Sequence, residues 1–207
     1  MNPIIINHPL IKNKLTKVRH KDTDSKLFRE TVNEIAGLMS YEATKDLPLE
    51  TVDIETPLAK TQGEALARDI VIVPILRAGL GMVDAIHMLI PHAKIGHIGL
   101  YRDETTFAPA KYYSKFPLNL AGATVLLLDP MLATGGSAKA SYDMLKEAGA
   151  QDIRFIGIVA SPEGIDFIKK HCPDMQVYIA AVDQGLNDNK YIVPGLGDAG
   201  DRLFGTK

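Results

Sequence analysis

Cysteine occurs once in the 207 residues, as Cys172, so no internal disulfide can form and a reducing compartment is expected. Its place between a helical stretch and Pro173 suits a structural side chain. No apolar run approaches the length that spans a bilayer, and residues 1–7 have neither the basic start nor the long apolar core of a signal peptide. A cytoplasmic protein without a membrane partner is predicted. An excess of either charge is also missing: 23 Lys and Arg stand against 25 Asp and Glu, a formal net charge of -2. That balance argues against a nucleic-acid partner and favours small-molecule substrates, with room for a local cationic pocket. The histidines His8, His20, His87, His92, His97 and His171 show no metal-ligand spacing and no Ser-His-acid arrangement, so no protein metal site is assigned. Gly-Lys-Ser and Gly-Lys-Thr are absent. Gly79-Leu80-Gly81 is followed by Asp84 where the last glycine of a dinucleotide fingerprint would stand. Linkers of low complexity and internal repeats are missing too, and with 46% hydrophobic content residues 1–207 read as one domain.

What is present is concentrated in Val125-Leu126-Leu127-Leu128-Asp129-Pro130-Met131-Leu132-Ala133-Thr134-Gly135-Gly136-Ser137. Four apolar residues without a polar interruption suit a central parallel strand covered on both faces. Beyond the loop, Ala140, Met144, Leu145 and Ala148 predict a helix starting near Ser137. The loop therefore lies at a helix N-terminus, where unpaired N–H groups and the helix dipole favour a phosphate, and two glycines permit its close approach. Gly-Gly-Ser alone would read as a turn in which Thr134 or Ser137 caps a helix. Asp129 tilts the balance, because an acid at the exit of an apolar strand packs poorly but accepts hydrogen bonds from sugar hydroxyls well.

Strands are predicted at 71–76, 95–101, 125–129, 153–160 and 177–182, with an extended stretch at 51–56. Helices are predicted at 79–88, 137–148 and 162–170, and after the Asp22-Thr23-Asp24 cap, where the helix carries Leu27, Val32, Ile35, Ala36, Leu38 and Met39. This alternation implies an α/β fold, a mostly parallel sheet flanked by helices, with its ligand crevice at the carboxyl ends of the strands. Pro74 inside the first of these strands is at odds with ladder pairing. Lys17, Arg19 and Lys21 form a short basic cluster before the first helix and read as a solvated face. Arg77-Ala78-Gly79 is by itself an ordinary strand-to-helix turn, the polar segment from Arg102 to about Lys115 an exposed excursion, and the glycine-rich 191–202 a terminal loop.

The Val125 to Ser137 string resembles the phosphoribosyl-diphosphate motif of type I phosphoribosyltransferases, and its Asp-Pro-Met-Leu-Ala-Thr-Gly-Gly-Ser form is similar to the uracil phosphoribosyltransferase family. Pro130 stands where the wider superfamily carries a second acid, as in the uracil branch. The resemblance implies the type I phosphoribosyltransferase fold with a flexible arm and a C-terminal base-binding segment. Its implied activity is transfer of ribose 5-phosphate from phosphoribosyl diphosphate to uracil, giving UMP. It places the donor on Arg77, Arg102, Asp129, Pro130, Met131, Leu132, Ala133, Thr134, Gly135, Gly136, Ser137 and Asp198, and uracil on Ile192, Gly197, Asp198 and Ala199. Arg77, Arg102, Asp129 and Asp198 form the implied catalytic set. The loop at Arg77 often holds a non-proline cis peptide in this superfamily, and the arm from Arg102 folds over the donor. Mg²⁺ is the implied cofactor, GTP an allosteric activator in some relatives, and a homo-oligomer the implied assembly. Two rival functions remain open: a non-catalytic regulator that senses the donor, and a phosphoribosyltransferase for another base.

Overall fold

The computed structural model describes residues 2–102 and 109–206, the backbone alone at 102 and 109. A two-residue strand β1 (Ile4–Ile5) leads into helices α1 (Pro9–Arg19) and α2 (Ser25–Ala43), then a hairpin of β2 (Leu49–Glu55) and β3 (Lys60–Leu66). Strand β4 (Ile70–Leu76) enters a 3₁₀ turn (Ala78–Met82) that continues as α3 (Val83–Leu89). The short β5 (Lys94–Ile95), β6 (His97–Arg102) and β7 (Pro109–Lys115) follow. Then come β8 (Thr124–Leu128), β9 (Met131–Leu132), α4 (Gly136–Glu147), β10 (Asp152–Ala160), α5 (Pro162–His171) and β11 (Gln176–Val182). The chain ends in β12 (Gly185–Leu186), β13 (Ile192–Val193) and α6 (Ala199–Phe204).

Among the described residues the main sheet runs β1-β11-β10-β8-β4-β6-β7, parallel throughout except where β7 returns antiparallel to β6. Alternation along β4, β8 and the first half of β10 builds two cores. Ile70, Ile72, Leu126, Leu128, Ile156 and Ile158 pack with Phe28, Val32, Ile35 and Met39 of α2 on one face. Val71, Val73, Val125, Leu127, Ile153 and Phe155 pack with Leu145 of α4 and Ile165 and Ile168 of α5 on the other. Because helices cover both faces, β4 throughout and β8 from Val125 to Leu128 are apolar without interruption. Cys172, at the end of α5, is buried, and burial pushes its thiol up to about 11, in keeping with a packing role.

Pro74 is accommodated where the strand changes neighbours. On the far side from β8, β4 pairs with β5 at Val71 and Ile72 and with β6 at Ile75 and Leu76, so the residue without an N–H falls in the gap between the two.

Several expectations need correction. The helix expected over 79–88 is a 3₁₀ turn before α3, since Gly79 and Gly81 are weak helix formers and Gly79 is pressed against β8. The strand expected over 95–101 is two pieces, β5 and β6. The basic residues Lys17 and Arg19 lie not before the first helix but in the last turn of α1, where cations meet the negative end of the dipole. Helix α1 was not expected, although Pro9 occupies its first turn, His8 caps it by accepting from Leu10 N at 3.2 Å, and Ile11, Leu15 and Val18 are buried at helical spacing. Strand β3 was missed as well, being exposed along nearly its whole length. Within the expected arm, residues 109–115 are strand β7, while 103–108 and the Arg102 side chain lie outside the described residues.

A methyl group at Gly79 would fall inside van der Waals contact of the Leu128 carbonyl and within 3.1 Å of Pro74. Gly79→Ala should therefore destabilise the protein by about 1–3 kcal/mol in urea denaturation. An unchanged midpoint would show that this contact has slack.

Candidate active site

Neighbouring strands β4 and β8 end side by side, so Arg77 and Asp129 emerge from the same edge of the sheet. The Leu76–Arg77 peptide is cis. The half-exposed Arg77 guanidinium donates to Asp201 at 3.0 Å and to the Thr206 hydroxyl at 3.5 Å, and lies 6.0 Å from the Phe204 ring. Asp198 caps α6 by accepting from Asp201 N at 2.9 Å. A methyl group at Gly200 would lie 3.3 Å from Asp198 Oδ1 and 3.5 Å from the Arg77 guanidinium, which brings the turn after β4 and the C-terminal segment together.

Asp129 is partly exposed but surrounded by protein, and desolvation pushes its carboxyl up to about 7 against one lowering contact, the Met131 N–H at 3.3 Å. An isolated acid so placed is ready to accept donors that a ligand brings. In place of a second acid, Pro130 turns its carbonyl to Ile158 N at 2.9 Å and Val159 N at 3.0 Å, tying this turn to β10. The side chain of Leu132 is buried, and its carbonyl accepts from Ser161 N at 3.0 Å. Pro130 and Leu132 thus shape the loop from below.

Residues 133–137 wrap the N-terminus of α4. Gly135, at φ +81°, occupies the cap position without a side-chain cap, and a methyl group there would lie 2.7 Å from Phe167. Ser161 supports the loop from behind: its hydroxyl donates to Ala133 O at 2.6 Å and accepts from Gly164 N at 2.9 Å. Sequence reasoning missed Ser161, whose only visible signal is the Ser-Pro start of α5. A hollow of about 70 Å³ lies under Asp129, Gly135, Gly136 and Ser137. It adjoins in sequence a cleft of about 360 Å³ lined by Ala133, Thr134 and Ser137 together with Tyr191 and Asp198. The phosphate-type loop and the C-terminal segment therefore face one space.

Of the four residues expected to read a base, Gly197 and Asp198 are exposed, while Ile192 and Ala199 are buried, leaving the latter two mainly their main chain to offer. Lys190 also lines the cleft, from a left-handed turn with φ +64°. Nothing in its neighbourhood marked it beforehand except the turn-forming Asn187-Asp188-Asn189.

A sequence model of the family "Uracil phosphoribosyltransferase" matches residues 5–206. The uracil phosphoribosyltransferase of Acholeplasma laidlawii is 56% identical over 204 residues, 99% of this chain and 98% of its own. That of Clostridium perfringens (strain ATCC 13124) is 57% identical over 203 residues, 98% of this chain and 97% of its own. The chain belongs to the uracil phosphoribosyltransferase family. Among solved structures, the AQ2163 protein of Aquifex aeolicus superposes with a TM-score of 0.92 at 38% identity, covering 97% of each chain. At the level of fold alone, the adenine phosphoribosyltransferase of Trypanosoma brucei is similar, with a TM-score of 0.50 at 13% identity over 78% of this chain and 68% of that one. As a member of the uracil phosphoribosyltransferase family the chain is an enzyme with the type I phosphoribosyltransferase fold, as the motif implied.

Desolvation of Asp129 has a measurable consequence. Its folded-state pKa lies above the unfolded value, so the folded state holds an extra proton between about pH 4 and 7 and loses stability as pH rises through that window. Asp129→Asn should abolish the loss, unfolding at higher urea than the parent at pH 8, by about 1–2 kcal/mol allowing for partial exposure, and near parity at pH 4. Equal midpoints at pH 8 would mean that the carboxyl is better solvated than its surroundings indicate.

Proposed function

We propose that this chain transfers ribose 5-phosphate from 5-phosphoribosyl 1-diphosphate to N1 of uracil, forming UMP and pyrophosphate. The single observation that carries the reading is the shared cleft, which Ala133, Thr134, Gly136 and Ser137 line together with Asp198. In this reading the main-chain N–H groups of residues 133–137, with the hydroxyls of Thr134 and Ser137, take the 5-phosphate at the start of α4. Asp129 accepts hydrogen bonds from the ribose hydroxyls, which favours its ionised form and opposes the desolvation that raises its pKa. Arg77, held by Asp201 yet half exposed, keeps N–H groups for the diphosphate, and the family resemblance assigns Arg102 to the same group.

Among the described residues no three His, Cys, Asp or Glu side chains converge. The donor set available, Asp198 at the cleft and Asp129 at the adjoining hollow, suits a hard cation held mainly by substrate oxygens and water, which is how Mg²⁺ would sit here. When bound, that ion neutralises negative charge gathering on the departing diphosphate. The arginines share the same task on the protein side, as the C1–oxygen bond breaks, N1 of uracil bonds C1 in its place, and the N1 proton passes to the Asp198 carboxylate or to the departing diphosphate.

Uracil presents acceptor, donor and acceptor along O2, N3–H and O4. Main chain at Ile192 and residues 197–199 can meet that rim without charged side chains. Cytosine reverses the last two groups and would leave buried polar groups unpaired at about 1–3 kcal/mol each.

Pyrophosphate release in the presence of the sugar donor, Mg²⁺ and uracil, cytosine or purine bases tests the reading. Release with uracil alone is expected. Release with another base only would point to a different phosphoribosyltransferase, and donor binding without release to a regulator. Asp198→Asn separates chemistry from capping, because asparagine still accepts from Asp201 N. Its stability should stay within about 0.5 kcal/mol of the parent, while kcat falls about 100-fold or more if the charge acts on the reactants. Unchanged kcat would reduce Asp198 to a helix cap.

A further inference from the structure

We infer that Arg19 and Asp183 are positioning residues for base recognition, acting on the main chain of Gly195 rather than on any reactant. The inference rests on the proposed reading of residues 192–199 as the base-binding segment.

Arg19 is the last residue of α1, and Asp183 follows directly on β11. They form a two-pronged ion pair, Nη2 to Oδ1 at 2.6 Å and Nη1 to Oδ2 at 2.8 Å. The Asp183 side chain is only 5% exposed. Both partners then reach the same residue. Arg19 Nη1 donates to Gly195 O at 2.8 Å, and Gly195 N donates to Asp183 Oδ2 at 2.9 Å. The ion pair thus takes both polar groups of one backbone unit, two residues before Gly197.

The far end of this clamp is rigid. Asp183 N donates to Ala160 O at 2.8 Å and Gln184 N to Val193 O at 3.0 Å, fastening the carboxylate to the ends of β10 and β13. Gly195 has φ +61°, and a methyl group there would collide with the Ile192 carbonyl, so the loop has little room to adopt another path. Its next peptide is held by a second arginine. Arg202 donates to Leu196 O at 2.8 Å and to His20 O at 2.7 Å, also bonds Val18 O, and covers the Phe28 ring at 4.2 Å. The corner between α1 and α2 therefore grips residues 195 and 196 from both sides.

A recognition surface made of main-chain groups has no side-chain freedom with which to correct a displaced backbone. Discrimination between uracil and cytosine then depends on where peptide groups are held, and displacement of about 1 Å is enough to be felt. A planar guanidinium supplies the parallel pair of bonds to a carboxylate together with a third to a carbonyl, and an ammonium cannot reproduce that fork.

The test uses Arg19→Lys and Asp183→Asn, with the double variant, in the full-length protein. Each single variant should raise KM for uracil at least 10-fold and narrow the preference for uracil over cytosine, while KM for the sugar donor stays within 2-fold of the parent. The double variant should be no worse than the poorer single one, as expected of residues acting as a unit. Hydrogen exchange should quicken at residues 195–199 and stay unchanged at 133–137, a readout that holds whatever the base proves to be. Equal changes in both KM values, or exchange that quickens in both regions, would reduce the pair to a general stabiliser and overturn the inference. Exchange unchanged at 195–199 would do the same. Absence of uracil-dependent turnover in the parent would instead strike the proposed function and leave the exchange result to judge the clamp.

Discussion

The fold depends on a close approach: the turn after β4 lies against the carbonyl end of β8 with no space for a methyl group between Gly79 and Leu128. Parallel strands bring their carboxyl ends to one edge, but they leave the turns above that edge free to splay. Contact without a side chain removes that freedom. Arg77 and Asp129, which leave adjacent strands, are thereby held at one edge of the sheet. The N-terminus of α4 arrives next to Asp129, and Asp198 lines the cleft beside it, its helix tied to Arg77 through Asp201.

Electrostatics at this edge work against stability. Asp129 has one backbone donor and a raised pKa, so at neutral pH its charge is poorly compensated in the folded protein. Such an arrangement persists where a ligand supplies the missing hydrogen bonds. At two other buried charges, Arg154 and Asp183, the chain supplies the partners itself. Buried Arg154, far from the cleft at the start of β10, donates to Ala43 O at 2.7 Å and pairs with Asp46 and Asp152, joining the end of α2 to the sheet. The contrast separates a charge used to hold structure from one left available.

Much of the centre was readable in advance because burial on both faces writes itself as an uninterrupted apolar run. Val125 to Leu128 is the clearest case, and the small-residue loop behind Asp129 was readable as the start of a helix, which is where α4 begins. Elements that carry no such signature were lost. Strand β3 is exposed and lacks alternation, and α1 is mostly polar with three buried positions. The cis form of the Leu76–Arg77 peptide has no compositional mark, although the family resemblance raised it. Arg19 looked like part of a solvated basic cluster, since nothing local reveals a partner 164 residues away. The tertiary path of the chain, which places β11 beside the end of α1, is what turns a surface cation into a support for the C-terminal loop.

The most direct measurement is a crystal structure of the protein with uridine 5′-phosphate bound. The account predicts the phosphate within hydrogen-bond distance of the main-chain N–H groups of residues 133–137 and the pyrimidine rim against residues 197–199, in the same cleft. A nucleotide whose base points away from the C-terminal segment, or whose phosphate avoids the start of α4, would contradict it.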